Sequence, residues 1–185
     1  MRLKLPTVML SSVLLLGSAC IVEAPGGASP EQRRAATVTQ VPALSVRNGA
    51  NLGGKVELVA ATVQPGRLTP GERAQVTVYF KVLEALDADY LIFVHVEDAG
   101  GRMERMNLDH MPANGMLPTS QWKPGETVKD EFSIYLPADA NPKALNIWLG
   151  LWDPKTDARL PLTNRDAVRN DGRDRILIAQ VPVAH

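Results

Sequence analysis

Between Arg73 and Val82 the chain alternates without a break. Ala74, Val76, Val78, Phe80 and Val82 fall on one side, and Gln75, Thr77, Tyr79 and Lys81 on the other. A helix repeats every 3.6 residues and would spread these five apolar side chains around its surface, whereas an extended strand places every second residue on one face. The stretch therefore predicts a half-buried antiparallel strand, one side on a core and the other toward water. Such a strand is stable only when a partner sheet or helix covers its apolar side.

The rest of the chain offers strands rather than helices for that purpose. Val56 to Val63 is rich in β-branched residues and ends at Gln64-Pro65-Gly66, and Thr69-Pro70-Gly71-Glu72 is a turn opening the alternating strand. Tyr90 to Glu97 puts Tyr90, Ile92, Val94 and Val96 on one side, and after Ala99-Gly100-Gly101 a short strand is predicted over Arg102 to Met106. Val128, Phe132, Ile134 and Leu136 share a face that Asp130 interrupts. Leu145 to Trp152 is strongly apolar, and its Trp148 and Trp152 are expected to join the core. Leu160 to Leu162 is short, and Arg175 to Val183 is the last strand, with Pro182 marking an edge. About seven strands separated by regular turn signals predict an all-β fold, an immunoglobulin-like antiparallel β-sandwich. Its core has to rest on apolar burial, because the chain has a single cysteine and no internal disulfide is available to it.

That cysteine has a position of its own. Arg2 and Lys4 precede an apolar run from Val8 to Leu16, and Gly17, Ser18 and Ala19 lead directly to Cys20. A basic start, a short apolar stretch and small residues before a cut describe a secretory signal peptide. With the cysteine immediately after the small residues, the segment resembles a bacterial lipoprotein signal, although Gly17 stands where that family usually has leucine. The resemblance implies cleavage after Ala19, acylation of Cys20 with palmitate-type chains and a membrane anchor at that residue. Ile21 in place of an aspartate after the cysteine resembles outer-membrane rather than inner-membrane sorting, and so implies an outer-membrane lipoprotein with a periplasmic or surface-facing domain. Loss of residues 1–19 removes two basic residues and leaves 18 against 20 acidic ones. A chain so nearly balanced carries no electrostatic footprint for nucleic acid. The expected organisation is a signal peptide over 1–19, a flexible tether over 20–54 and the sandwich over 55–185, the tether being read from its prolines, glycines and small residues.

The stretch from Asp109 to Asp130 interrupts the strand pattern with Pro112, Pro118 and Pro124, together with His110 and Trp122. Each proline fixes its own φ and pushes its predecessor into extended geometry, so an ordered loop pinned by the tryptophan is predicted. It is also the candidate ligand site, with Trp122, His110, Asp109 and Asp130 as its residues. Trp122 beside Tyr90 or Tyr135 would stack on a sugar ring; the competing reading makes it a packing anchor. His95, Asp109, His110 and Asp130 match no metal spacing, and hydrogen bonds to loop backbone are the favoured account of Asp109 and His110. Asn164 to Asp174 fails the calcium-loop pattern, since Arg169 and Ala167 occupy ligand positions. Ser120 with His110 is the one serine–histidine candidate, and no nucleophile elbow surrounds it. No cofactor and no catalytic residue is expected.

Phe93-Val94-His95-Val96 with Asp98, Asp109-His110 with Pro112 and Gly115, Pro118-Thr119-Ser120 with Trp122, Pro124-Gly125-Glu126, Gly150-Leu151-Trp152-Asp153 and Arg159-Leu160-Pro161 form a longer pattern. Over Val56 to Val183 it resembles the β-sandwich module at the C-terminal end of bacterial membrane glycosyltransferases of the mannosyltransferase or arabinosyltransferase type. The resemblance implies the fold and an association with envelope glycans. It does not imply glycosyl transfer, because the membrane-embedded catalytic part is missing. The expected function is a lipid-anchored, non-catalytic cell-envelope protein serving as a binding or assembly module, in contact with an envelope protein complex or a polysaccharide. A glycan-binding lipoprotein using the Asp109–Asp130 loop and an envelope hydrolase are the alternatives.

Overall fold

The computed structural model describes residues 27–184; Cys20 and residues 1–19, read as a signal peptide, lie outside them. The described residues form a short helix, α1 (Pro30–Ala36), and nine strands: β1 (Val46–Leu52), β2 (Val56–Gln64), β3 (Arg73–Val82), β4 (Leu91–Asp98), β5 (Met106–Asn107), β6 (Thr127–Tyr135), β7 (Ala144–Asp153), β8 (Ala158–Arg159) and β9 (Ile176–Pro182). One antiparallel sheet runs β1-β2-β3-β6. In the other, β5-β4-β7 continue the order, and β8 and β9 both pair with β7, β8 at its C-terminal end and β9 along its first six residues.

The alternating strand behaves as its pattern requires. Ala74, Val76, Val78, Phe80 and Val82 of β3 are buried against Ile92, Val94 and Val96 of β4 and Leu145, Ile147, Leu149 and Leu151 of β7 within one apolar core. The all-β sandwich expected from the sequence is what the chain forms. Its strand number is larger than expected because β1 was not legible as a strand, while the short strands expected over Arg102 to Met106 and Leu160 to Leu162 form instead as the two-residue β5 and β8.

β1 lies in the segment read as a flexible tether, and that reading is corrected over its second half. Val46–Leu52 pairs with β2 and buries Ala50 and Leu52 completely. Gly49, at φ +88°, allows the ladder to shift between Arg47 and Ala50, which explains why no clean alternation marks the strand. Further upstream, α1 is a capped helix docked on the sandwich. The Ser29 hydroxyl accepts the Gln32 N–H while the Gln32 side chain takes the Ser29 N–H. Arg33 holds Glu126 through two bonds of 2.8 and 2.7 Å and donates to the Gln121 carbonyl. Val38 N–H then reaches the Thr127 carbonyl at 2.9 Å.

A second correction concerns the tryptophans of β7. With Leu145, Ile147, Leu149 and Leu151 inward, period two sends Trp148 and Trp152 to the outer face, and neither indole N–H has a hydrogen-bond partner. Both faces of β7 are apolar, so composition alone did not say which one meets the core.

Candidate functional site

The Asp109–Asp130 loop is ordered, and its order comes from buried groups. Trp122 is 2% exposed, packs against Phe80 with ring centroids 5.6 Å apart, and donates its indole N–H to the Leu117 carbonyl at 2.9 Å. The Thr119 hydroxyl donates to the Ala88 carbonyl and accepts the Tyr90 N–H, tying the loop to the start of β4. Trp122 is therefore a packing anchor with no ring face left for a sugar, which corrects its place among the ligand-binding residues.

Asp130 is 0% exposed, and this explains why a carboxylate interrupts the apolar face of β6. Its Oδ1 accepts the Ala113 N–H at 2.7 Å, and its Oδ2 lies 2.8 Å from His110 Nε2. His110 Nδ1 faces the Leu108 carbonyl at 2.7 Å. A carbonyl only accepts, so Nδ1 carries a proton, and a carboxylate at Nε2 calls for a second. Burial works against charge on this imidazole, but the hydrogen bond and the charge of Asp130, helped by the Leu108 carbonyl and Asp109, raise its pKa above the usual histidine value. Between these anchors Ala113, Asn114 and Gly115 sit successively in left-handed backbone at φ 51°, 54° and 78°. For alanine that conformation costs about 1–2 kcal/mol, and the bond from Ala113 N–H to Asp130 holds it.

With both nitrogens engaged, His110 has none free to take a proton from Ser120, whose N–H caps Asp89. His110 and Asp130 lie together, but Asp109 points elsewhere. Among the described residues no three His, Cys, Asp or Glu side chains converge as metal ligands. In the Asn164–Asp174 segment, Asp171 binds Arg175 and the Arg173 N–H, and Asp174 pairs with Arg165. Burial raises the Asp171 pKa, yet these bonds leave it below the usual carboxylate range.

Asp109 leads to the site that the residue pattern did not single out. Its Oδ1 accepts the Val94 N–H at 3.0 Å, which fixes the carboxylate over the outer face of β4. There it borders a cleft of about 150 Å³ together with Phe93, His95, Trp152, Asp157 and Arg159. Phe93 and His95 alternate with the core residues of β4 and form the floor, their rings 5.2 Å apart. Phe93 can lie down because Gly150 faces it: a Cβ there would overlap the phenyl ring and come within 2.9 Å of the Asp174 carbonyl. Arg159 of β8 spans the ring at 4.6 Å and donates to the Arg173 carbonyl.

His95 is 7% exposed. Arg175 Nη1 donates to its Nδ1 at 3.3 Å, while Arg175 itself is held by Glu97 and Asp171. Burial, then the charge of Arg105, with smaller contributions from Arg175 and Arg159, push the imidazole pKa down, against the opposing pull of Asp109. His95 is thus neutral with its proton on Nε2, which has no partner among the described residues. Of the four residues nominated in the sequence, only Asp109 borders this cleft. Phe93, Trp152, Asp157 and Arg159 come together from three strands and a turn, a proximity that no sequence spacing announces.

No family model matches the chain, and no curated protein matches it. Solved structures similar in shape include three of unlike function. The C-terminal domain of Wzt aligns at 17% identity and TM-score 0.49, over 78% of this chain and 80% of that one. A CARDB domain from Pyrococcus furiosus, solved in complex with di-metal ions, aligns at 16% identity and TM-score 0.35, over 79% of this chain and all of that one. The Pseudomonas fluorescens alkylpurine DNA glycosylase AlkC, bound to DNA with an abasic-site analogue, aligns at 9% identity and TM-score 0.36, over 71% of this chain and 31% of that one.

Proposed function

We propose that this chain is a lipid-anchored, non-catalytic binding module of the bacterial cell envelope, carried on the outer membrane. The observation that carries the reading is how soon after Cys20 the chain is fixed to the sandwich. Ala28 N–H donates to Gln121 Oε1 at 2.5 Å, and α1 follows at once. Cys20 precedes Ala28 by eight residues, a stretch that reaches at most about 29 Å when fully extended. Acyl chains at Cys20 hold the sandwich next to the bilayer, with α1 and the Gln121–Glu126 turn on the near side. Several acyl chains make that anchor stable, since each buried CH₂ contributes about 0.8 kcal/mol.

The non-catalytic part of the proposal rests on chemistry. A hydrolase needs a nucleophile and a free base in hydrogen-bond reach, and Ser120 with His110 is not such a pair.

Growth of a bacterium expressing the full chain with an alkyne-tagged palmitate tests the anchor. The mature protein is expected to carry the label, to begin at Cys20 and to fractionate with outer membranes. Cys20→Ser is expected to lose the label and leave the membrane fraction. An unlabelled wild-type chain that retains residues 1–19 would overturn the reading.

A further inference from the structure

We propose that the cleft bordered by Phe93, His95, Asp109, Trp152, Asp157 and Arg159 holds one neutral sugar ring of an envelope saccharide. The inference rests on the reading of the domain as a binding module and names its ligand, but it does not depend on the anchor.

The chemistry of the lining selects the ligand class. The accessible aromatic surface of the floor is that of the half-buried Trp152, because Phe93, 2% exposed and spanned by Arg159, lies beneath it. A wholly apolar ligand would cover the aromatic floor but strand the polar rim, at a cost for each unpaired group. The rim carries two exposed carboxylates, Asp109 and Asp157, and one exposed guanidinium, Arg159. An anion would meet both carboxylates. A cation would meet Arg159, with Arg175 directly behind His95.

A neutral polyol avoids both conflicts. Its C–H face covers aromatic surface, and its hydroxyls both donate and accept. Asp109 Oδ1 is committed to the Val94 N–H, which leaves Oδ2 as an oriented acceptor. Arg159 donates one N–H to the Arg173 carbonyl and retains others. His95 is more than nine-tenths buried, and its Nε2 proton has no partner. Unlike the Trp152 indole N–H, which is sealed from solvent, this Nε2 keeps accessible surface in the cleft. A ligand hydroxyl entering the cleft is a suitable acceptor for the His95 N–H. The volume of about 150 Å³ admits a single ring and leaves the remainder of a chain outside.

The test uses the full chain with Cys20→Ser, purified without detergent and titrated by calorimetry and by NMR. The probes are short oligomers of glucose, mannose, galactose and N-acetylglucosamine, with sodium phosphate, sodium acetate and spermidine as charged controls. At least one oligomer is expected to bind saturably and to shift the side-chain signals of Trp152 and His95. Asp109→Asn is expected to weaken that binding about tenfold while leaving the thermal midpoint near wild type. Trp152→Phe, which keeps an aromatic ring of smaller area, gives an intermediate loss. No saturable binding by any oligomer at about 10 mM, binding that Asp109→Asn leaves unchanged, or preferential binding of phosphate, acetate or spermidine would each overturn the proposal. Failure of palmitate labelling with sugar binding intact would remove the anchor and spare the cleft.

Discussion

His110 Nε2 lies 2.8 Å from the Oδ2 of Asp130, a carboxylate with no exposed surface, and the other oxygen of that carboxylate takes the N–H of left-handed Ala113. One buried side chain thereby joins β6 to His110 and to the first residue of an otherwise unfavourable turn. The pair fixes the conformation of the loop, which is the best-supported use of a buried ion pair; its net contribution to stability is offset by desolvation.

Removing one partner leaves the other groups stranded. Asp130→Ala is expected to cost about 3–5 kcal/mol, read as a lower midpoint in urea at unchanged slope. A loss under about 1 kcal/mol would mean that water replaces the carboxylate at both N–H groups.

The same pair sets a pH dependence. Asp130 raises the His110 pKa in the folded chain above the ordinary value of 6.5. More protons are therefore bound to the native than to the unfolded state in that window. The stabilisation is fully present below the unfolded value, and it is lost as pH rises through the higher folded one. Thermal midpoints of wild type and His110→Gln measured from pH 5 to 9 should converge toward the alkaline end. Parallel curves would show that folding leaves the imidazole pKa unchanged and that Asp130 does not hold its proton.

Trp122 and Trp152 should separate cleanly. Trp122→Ala removes a buried anchor and the partner of Phe80, at an expected cost of about 3–5 kcal/mol. Trp152→Phe lies outside the core and is expected to cost less than about 1.5 kcal/mol. Equal losses in chemical denaturation would mean that the outer face of β7 carries as much packing energy as the loop anchor.

The readable parts of this chain are those in which one side chain in two is apolar. β3, β4 and β6 were legible at nearly their observed bounds because a strand with one wet face and one dry face can only be oriented one way. Pro112, Pro118 and Pro124 likewise marked an ordered loop, since restricted φ is a local property. β1 was not legible, because Gly49 and the ladder shift beside it break the alternation. Nor was the docked position of α1, which depends on Arg33 meeting Glu126, 93 residues away.

Local sequence thus determined which segments are extended, where they turn and that two sheets must face each other, because each of those follows from neighbours along the chain. Tertiary structure alone decided which face of β7 is dry, that Trp122 is sealed while Trp152 is not, and that Asp109, Phe93 and Arg159 share a cleft. Those outcomes depend on β4 and β7 pairing with Phe93 opposite Gly150. A register between distant strands is fixed by the fit of the whole core, and no single stretch of sequence contains it.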